Sequence, residues 1–318
     1  MRRITFGNVW QVIGPLASLI ILSLLIWWAE PVFMSPQNLL NVARQASLTA
    51  ILATGMTFVI LTGGIDLSVG SMVALSSVCG GLLMWEFGWP MWPAVLVMVV
   101  VGGGLGLING AIVTLGRIPP FIVTLGTMQI FRGAALQLTD GKPIFDLTAF
   151  QPSFSMWGTG DLGGIPAPVI ITLVVFVAGW LILRYTRLGL YTYAIGGNEQ
   201  ATRFSGVQIN RYKLGVYGLM GVTAGVAAVM WSSRLNSTQP TVATGEELNA
   251  IAAVVIGGTS LFGGEGSIVG TLIGALLMAV IRNGLTLLHV PSFYQQMVIG
   301  AVVVLAVLID RLRRRETA

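Results

Sequence analysis

The sequence predicts an all-α polytopic membrane protein of about ten transmembrane helices, with one short helix outside the bilayer and an internal repeat. Three observations carry that prediction. Lys and Arg number 17 and Asp and Glu 12 in 318 residues, 9% charged, where a soluble domain carries about 25%. Hydrophobic residues make up 55% and mean hydropathy is +0.85, so there is too little polar surface to cover a water-soluble body of this size. Apolar runs near the ~20 residues that a helical span needs recur along the whole chain.

Ten candidate spans follow in order: 11–29, 40–62, 68–85, 94–115, 120–138, 167–184, 214–231, 249–262, 267–288 and 294–310. The first run begins after Met1–Arg3 and ends at Trp27-Trp28-Ala29-Glu30-Pro31. It has no small-residue cleavage pattern, so it reads as a retained span rather than a signal peptide. The break at 63–67 and the short eighth run are the places where a broken helix would fit almost as well. With the N-terminus inside, twelve of the basic residues fall on cytoplasmic segments: Arg2, Arg3, Arg117, Arg184, Arg187, Arg203, Arg211, Lys213, Arg311, Arg313, Arg314 and Arg315. Acids, among them Asp140, Asp146, Asp161, Glu246 and Glu247, collect on the outside loops. That asymmetry puts both termini in the cytoplasm and calls for an even number of spans. Neither long hydrophilic segment, 139–166 outside or 185–213 inside, is large enough for a domain. The chain is therefore expected to be one integral membrane domain, 1–318.

Glycine supplies 41 residues. Gly102, Gly106 and Gly110, Gly266, Gly270 and Gly274, and Gly221 and Gly225 stand four apart, the spacing that lets helix backbones approach closely. Gly63-Gly64-Ile65-Asp66-Leu67-Ser68-Val69-Gly70-Ser71 finds an echo at Gly257-Gly258-Thr259-Ser260-Leu261-Phe262-Gly263-Gly264-Glu265-Gly266-Ser267, the sign of an internal repeat. Asp66 and Glu265 each sit where a new helix starts, a place that favours an acid.

Several chemistries are excluded. One histidine (His289) and one cysteine (Cys79) make no zinc site, disulfide or redox pair. Lys142 and Lys213 are the only lysines, and neither follows a phosphate-loop pattern. No nucleophile–base pair stands out, so the chain is not expected to be an enzyme, and it offers no cofactor or metal site. The net charge of +5 is explained by topology rather than by nucleic acid.

Within 185–213, Asn198 is a candidate N-cap, Glu199 suits a first helical turn, and Gly206 is a candidate stop. Glu199 and Arg203 are spaced to pair at i,i+4. A short helix is therefore expected over 198–205 on the cytoplasmic face.

Three motifs in order then resemble the membrane permeases of ribose-type sugar ABC importers. They are Gly63–Ser71, the run Ala194–Gly206, and Ala252–Leu261, and the match runs from about residue 38 to residue 310. The resemblance implies a permease subunit that works with a second permease copy, identical or paralogous, an ABC ATPase carrying the ATP and Mg, and a periplasmic sugar-binding protein. It implies a bacterial cytoplasmic membrane. It also makes 198–205 the coupling helix that docks into the ATPase, through Gly196, Gly197, Asn198, Glu199, Ala201, Arg203, Phe204 and Gly206.

The expected cargo is a neutral sugar or polyol moved by alternating access. Hydrogen-bonding candidates for the path are Asn41, Gln45, Thr57, Asn109, Gln129, Asn249 and Asn283, each of which is equally able to bond a neighbouring helix. Lys142 and Arg234 are candidates for contact with the binding protein, whose docking is expected against 139–166 and 232–249. The rival reading is an ion-coupled secondary sugar transporter or facilitator working without an ATPase, for which Asp66 is the candidate coupling acid.

Overall fold

A computed structural model describes residues 6–315, with side chains described outside 6–12, 150 and 309–315; Met1, Arg2 and Arg3 lie outside the described residues. Thirteen α-helices follow in chain order among the described residues: α1 Phe6–Ala29, α2 Pro36–Leu61, α3 Val69–Trp85, α4 Met91–Leu115, α5 Pro120–Leu138, α6 Leu147–Phe150, α7 Ala167–Tyr185, α8 Arg187–Gly197, α9 Glu199–Phe204, α10 Ile209–Leu235, α11 Glu246–Ile256, α12 Ile268–Leu287 and α13 Ser292–Arg315. Six of them, α2, α4, α5, α7, α10 and α12, are long and apolar enough to cross a membrane. Shorter apolar stretches lie at Ile13–Ala29, Val69–Trp85 and Ser292–Leu308. The chain is an all-α polytopic membrane protein.

Local chemistry sets several of these ends. Ser35 accepts a hydrogen bond from the Asn38 amide (3.4 Å) and Pro36 opens α2 at the position where a missing N–H costs nothing. Ser267 and Thr186 cap α12 and α8 in the same way. Asp66 accepts from the Ser68 amide (2.9 Å) and hydroxyl (2.7 Å) at the start of α3, so the acid does serve a helix start; Glu265 is exposed, two residues before the cap of α12.

Helix α2 is the central post, with 89% of its apolar stretch buried against 28% for α5 and α7. The main core gathers around it from α3, α10 and α11. The glycine spacing resolves into two crossings inside the chain. In the more extensive one, Gly102 and Gly106 of α4 lie directly on Gly221 and Gly225 of α10. In the other, Gly270 and Gly274 of α12 lie on Gly257 and Ala253.

The two ends of the bundle differ. At one, β1 (Ile144–Phe145) pairs antiparallel with β4 (Ser237–Thr238), Ile144 opposite Thr238, joining the segments after α5 and α10. The Thr148 amide donates to Asn236 Oδ1 (2.8 Å) and the Gly158 amide to Ser233 Oγ (2.8 Å), tightening that joint. A small hairpin, β2 (Asp161–Leu162) with β3 (Ile165–Pro166), turns through Gly163 and Gly164, both at positive φ. At the other end stands α9.

One expectation needs correction. The sequence predicts a span over 249–262 and outside-loop positions for Glu246 and Glu247. The structure instead carries the backbone inward from β4 without helix. A Cβ on Gly81 near the far end of α3 would meet Thr238, whereas one on Gly70 near its start would meet Glu247 Oε2 at 2.6 Å. The seven residues 239–245 thus descend along α3 before α11 begins, and Glu246 contacts Thr49 at the midpoint of α2. Helix α11 has 11 residues, half a span. Non-helical backbone at this depth survives because protein satisfies it. The Arg132 guanidinium donates to the Pro240 (2.8 Å) and Val242 (2.9 Å) carbonyls.

Candidate coupling junction and polar path

Helix α9 has six residues and is built from its own sequence. The Ala201 amide donates to Asn198 Oδ1 (2.9 Å), Gly206 follows at φ +82°, and Glu199 Oε1 pairs with Arg203 at 3.0 Å. Lys213, at the start of α10, adds a contact to Glu199 Oε2 at 2.7 Å. Burial pushes the Glu199 carboxyl up, but the hydrogen bonds and charges of Lys213 and Arg203 outweigh it and hold the group below its ordinary value. A lowered acid stabilises the fold above its ordinary pKa and ceases to do so as pH falls through the lowered one. A nitroxide label on Phe204→Cys should therefore gain mobility only in that acid window. In Glu199→Gln it should be mobile at every pH; a pH-independent signal in the native pairing would contradict the brace.

The outer face of α9 is bare. Ala201 is exposed, Arg203 is largely so, and Phe204 is 90% exposed. Its inner attachment is close. Gly196, one turn upstream on α8, lies against the Leu61 carbonyl at the end of α2 and the Gly264 amide; Gly197 faces open space. The Gly264 amide itself donates to the Leu61 carbonyl (3.0 Å), and Tyr193 donates to the Gly266 carbonyl (2.9 Å). A Cβ on Gly263 would lie 2.8 Å from the Gly63 amide. The two glycine-rich motifs that echo each other in sequence thus touch, and the second of them, together with the end of α2, touches the element that leads into α9.

The seven path candidates divide. Thr57, Asn109 and Asn283 link helices: Thr57 with Thr271 (2.8 Å), Asn109 with Ser68 (2.7 Å), and Asn283 with Asn38 through reciprocal amide bonds (2.9 and 3.0 Å). Gln129 is exposed on α5, away from the others. Asn41, Gln45 and Asn249 fall on one polar stripe. Asn41 accepts from Arg44 (3.2 Å), Gln45 follows on α2, and Asn249 of α11 donates to Glu246 Oε1 (2.9 Å). Three residues that sequence reasoning left out complete the stripe. Thr49 donates to Glu246 Oε2 (3.2 Å), Glu246 is 6% exposed, and Arg282 Nη1 stands 3.7 Å from Glu246 Oε1. The available signal was the pair Glu246-Glu247 directly before an apolar run. Lys142 and Arg234 are both exposed in the segments that the β1–β4 ribbon joins.

A family model described as branched-chain amino acid transport system / permease component matches residues 38–307. The chain is 48% identical to the ribose import permease protein of Bacillus subtilis (strain 168), covering 98% of this chain and 96% of that one. It is 46% identical to the ribose import permease protein of Escherichia coli (strain K12), covering 93% and 92%, and 33% identical to the xylose transport system permease protein of the same strain, covering 96% and 93%. No solved structure matches. These relatives are transport components rather than enzymes, and they match along nearly their whole length. The chain belongs to the ribose-type family of sugar ABC-importer permeases.

Proposed function

We propose that this chain is the gated path of an ATP-driven importer for a neutral pentose of the ribose type. The observation that carries the reading is the joint at α9: a capped, ion-paired helix that presents a bare Phe204 outward and is rooted on the broken segments of the bundle. The gradient of identity, 48% to a ribose permease and 33% to a xylose permease, favours ribose among the cargoes of the relatives. Family membership sets aside the ion-coupled alternative.

In this reading two permease copies face each other in the cytoplasmic membrane, surrounded by lipid, with both termini inside. Ten apolar helices per copy form one domain over 1–318, α11 serving as a half-span, and the two touching glycine motifs mark an internal repeat. A loaded periplasmic binding protein docks at the β1–β4 end, near Lys142 and Arg234. An ABC ATPase, which carries the ATP and Mg, grips α9 through Ala201, Arg203 and Phe204. Asn198, Glu199 and Gly206 hold the helix in shape for it. ATP-driven movement of α9 passes through Gly196 to the ends of α2 and α11, and so to the polar stripe.

Phe204→Ala tests this directly, since Phe204 is too exposed for truncation to disturb the bundle. Exposed aromatics are the usual anchors of such interfaces. Co-purification of the ATPase and sugar uptake should both fall roughly tenfold or more, the scale of a 1.4 kcal/mol interface loss. Arg203→Glu should act in the same direction, because it also sets a like charge against Glu199. Undiminished ATPase capture by both variants would remove the coupling role of α9.

A further inference from the structure

The cluster at the head of α11 is built unlike the other ion pairs of the chain. On α9, Lys213 closes on Glu199 at 2.7 Å, the length of a charge-assisted hydrogen bond. Arg282 stops 3.7 Å short of Glu246, beyond a direct hydrogen bond. Among the described residues the Arg282 guanidinium donates no hydrogen bond, and the Gln45 amide makes none either. Glu246 meanwhile is held by two neutral donors, Thr49 and Asn249.

The result is a fixed carboxylate beside a guanidinium that pairs with it by charge but without a hydrogen bond, and an amide that has no hydrogen bond. Gln45 and Arg282, with Thr49, Asn249, Met278 and Ala279, line a cavity of about 10 Å³ between α2, α11 and α12, and Glu246 lies behind Thr49 and Asn249, bonded to both. That space admits about one water, so a larger ligand engages its rim, where Arg282 is 39% exposed and Gln45 half-buried. A charge buried mid-bundle is costly and is kept where it serves a pathway.

We infer that Gln45, Glu246 and Arg282 form a hydroxyl-reading site on the path, so that the permease itself selects among sugars; the inference rests on the reading of the cargo as a neutral sugar. Each group matches polyol chemistry. Glu246 accepts from a hydroxyl, Arg282 donates to its oxygen, and the Gln45 amide does both. The site discriminates because a cargo lacking one hydroxyl leaves these groups unpaired in a poorly hydrated place.

The test uses the whole importer, with its ATPase and binding protein, in proteoliposomes. Maximal uptake of ribose and of 2-deoxyribose is compared at concentrations that saturate the binding protein, so that its own preference drops out. The native importer should carry ribose about tenfold faster or more. Gln45→Ala and Glu246→Gln should pull that ratio down by at least about threefold, while the loaded binding protein still stimulates ATP hydrolysis. Gln45→Ala breaks no bond seen in the structure, so it decides the matter if Glu246→Gln fails to fold. A native ribose preference that both folded variants retain would overturn the site and leave the cargo intact, as would equal native rates for the two sugars. A native importer that moves neither pentose would overturn the cargo reading and the site with it.

Discussion

Gly106→Leu and Gly221→Leu should each abolish folded permease, whereas Gly104→Leu, in the same helix as Gly106, should not. At Gly106 a Cβ would meet the Tyr217 carbonyl, and it would lie 2.9 Å from both the Cα and the amide of Gly221. At Gly221 it would meet the Gly102 carbonyl and lie 2.9 Å from the Gly106 Cα. Every one of these neighbours is backbone, so no side chain can swing aside and the helices must part. Overpacking a tight interior costs about 1–3 kcal/mol, and occasionally more. Here a whole leucine is inserted between the two helices with the most extensive contact in the chain, and lipid supplies no hydrophobic drive to close them again. The expected loss is a large share of the roughly 5–15 kcal/mol that holds a typical domain folded. Gly104 has nothing within 4 Å of its added Cβ. Expression followed by size-exclusion chromatography in mild detergent separates the two cases. A monodisperse peak for Gly106→Leu would show that α4 and α10 do not cross where the structure places them.

Gly196→Ala should separate ATP hydrolysis from transport, and Gly197→Ala should leave both unchanged. The added methyl at 196 falls on the Leu61 carbonyl and the Gly264 amide, the two partners of a 3.0 Å hydrogen bond that ties the end of α2 to the segment before α12. The next residue, Gly197, points its Cβ into open space, and alanine there also favours α8 by about 1 kcal/mol of helix propensity. The prediction therefore contrasts two neighbouring glycines in one helix. With Gly196→Ala the bundle retains its core and its glycine crossings, and α9 retains its cap and its ion pairs, so the ATPase still binds. Uptake per ATP hydrolysed should nonetheless fall by roughly tenfold, a 1.4 kcal/mol loss of coupling. Normal uptake by Gly196→Ala would break the proposed route from α9 to the interior.

Local features were the legible ones. The cap, brace and stop of α9 all depend on residues within one or two turns, and the sequence shows Asn198, Glu199, Arg203 and Gly206 at the required spacing. The glycine rows were legible for the same reason, though not their partners: nothing in a spacing of four says that Gly102 faces Gly225 rather than a second copy. Polar residues in the spans were the hardest to sort. Asn283 and Gln45 look alike in sequence, yet one is consumed by Asn38 across 245 residues of chain and the other is left unbonded. Which of the two a residue becomes depends on which helix lies opposite.

Composition and spacing alone determined that this is a helical membrane protein, that α9 would form, and that its helices would pack through glycine. Those properties follow from totals and from contacts within a few residues. Only the tertiary structure decided that α11 is a half-span, because Glu246 and Glu247 read as loop acids until Thr49 is seen to bond the one and the start of α3 to lie against the other. Burying a carboxylate is favourable only where distant helices supply its partners, and those distances are set by the fold and not by any stretch of sequence.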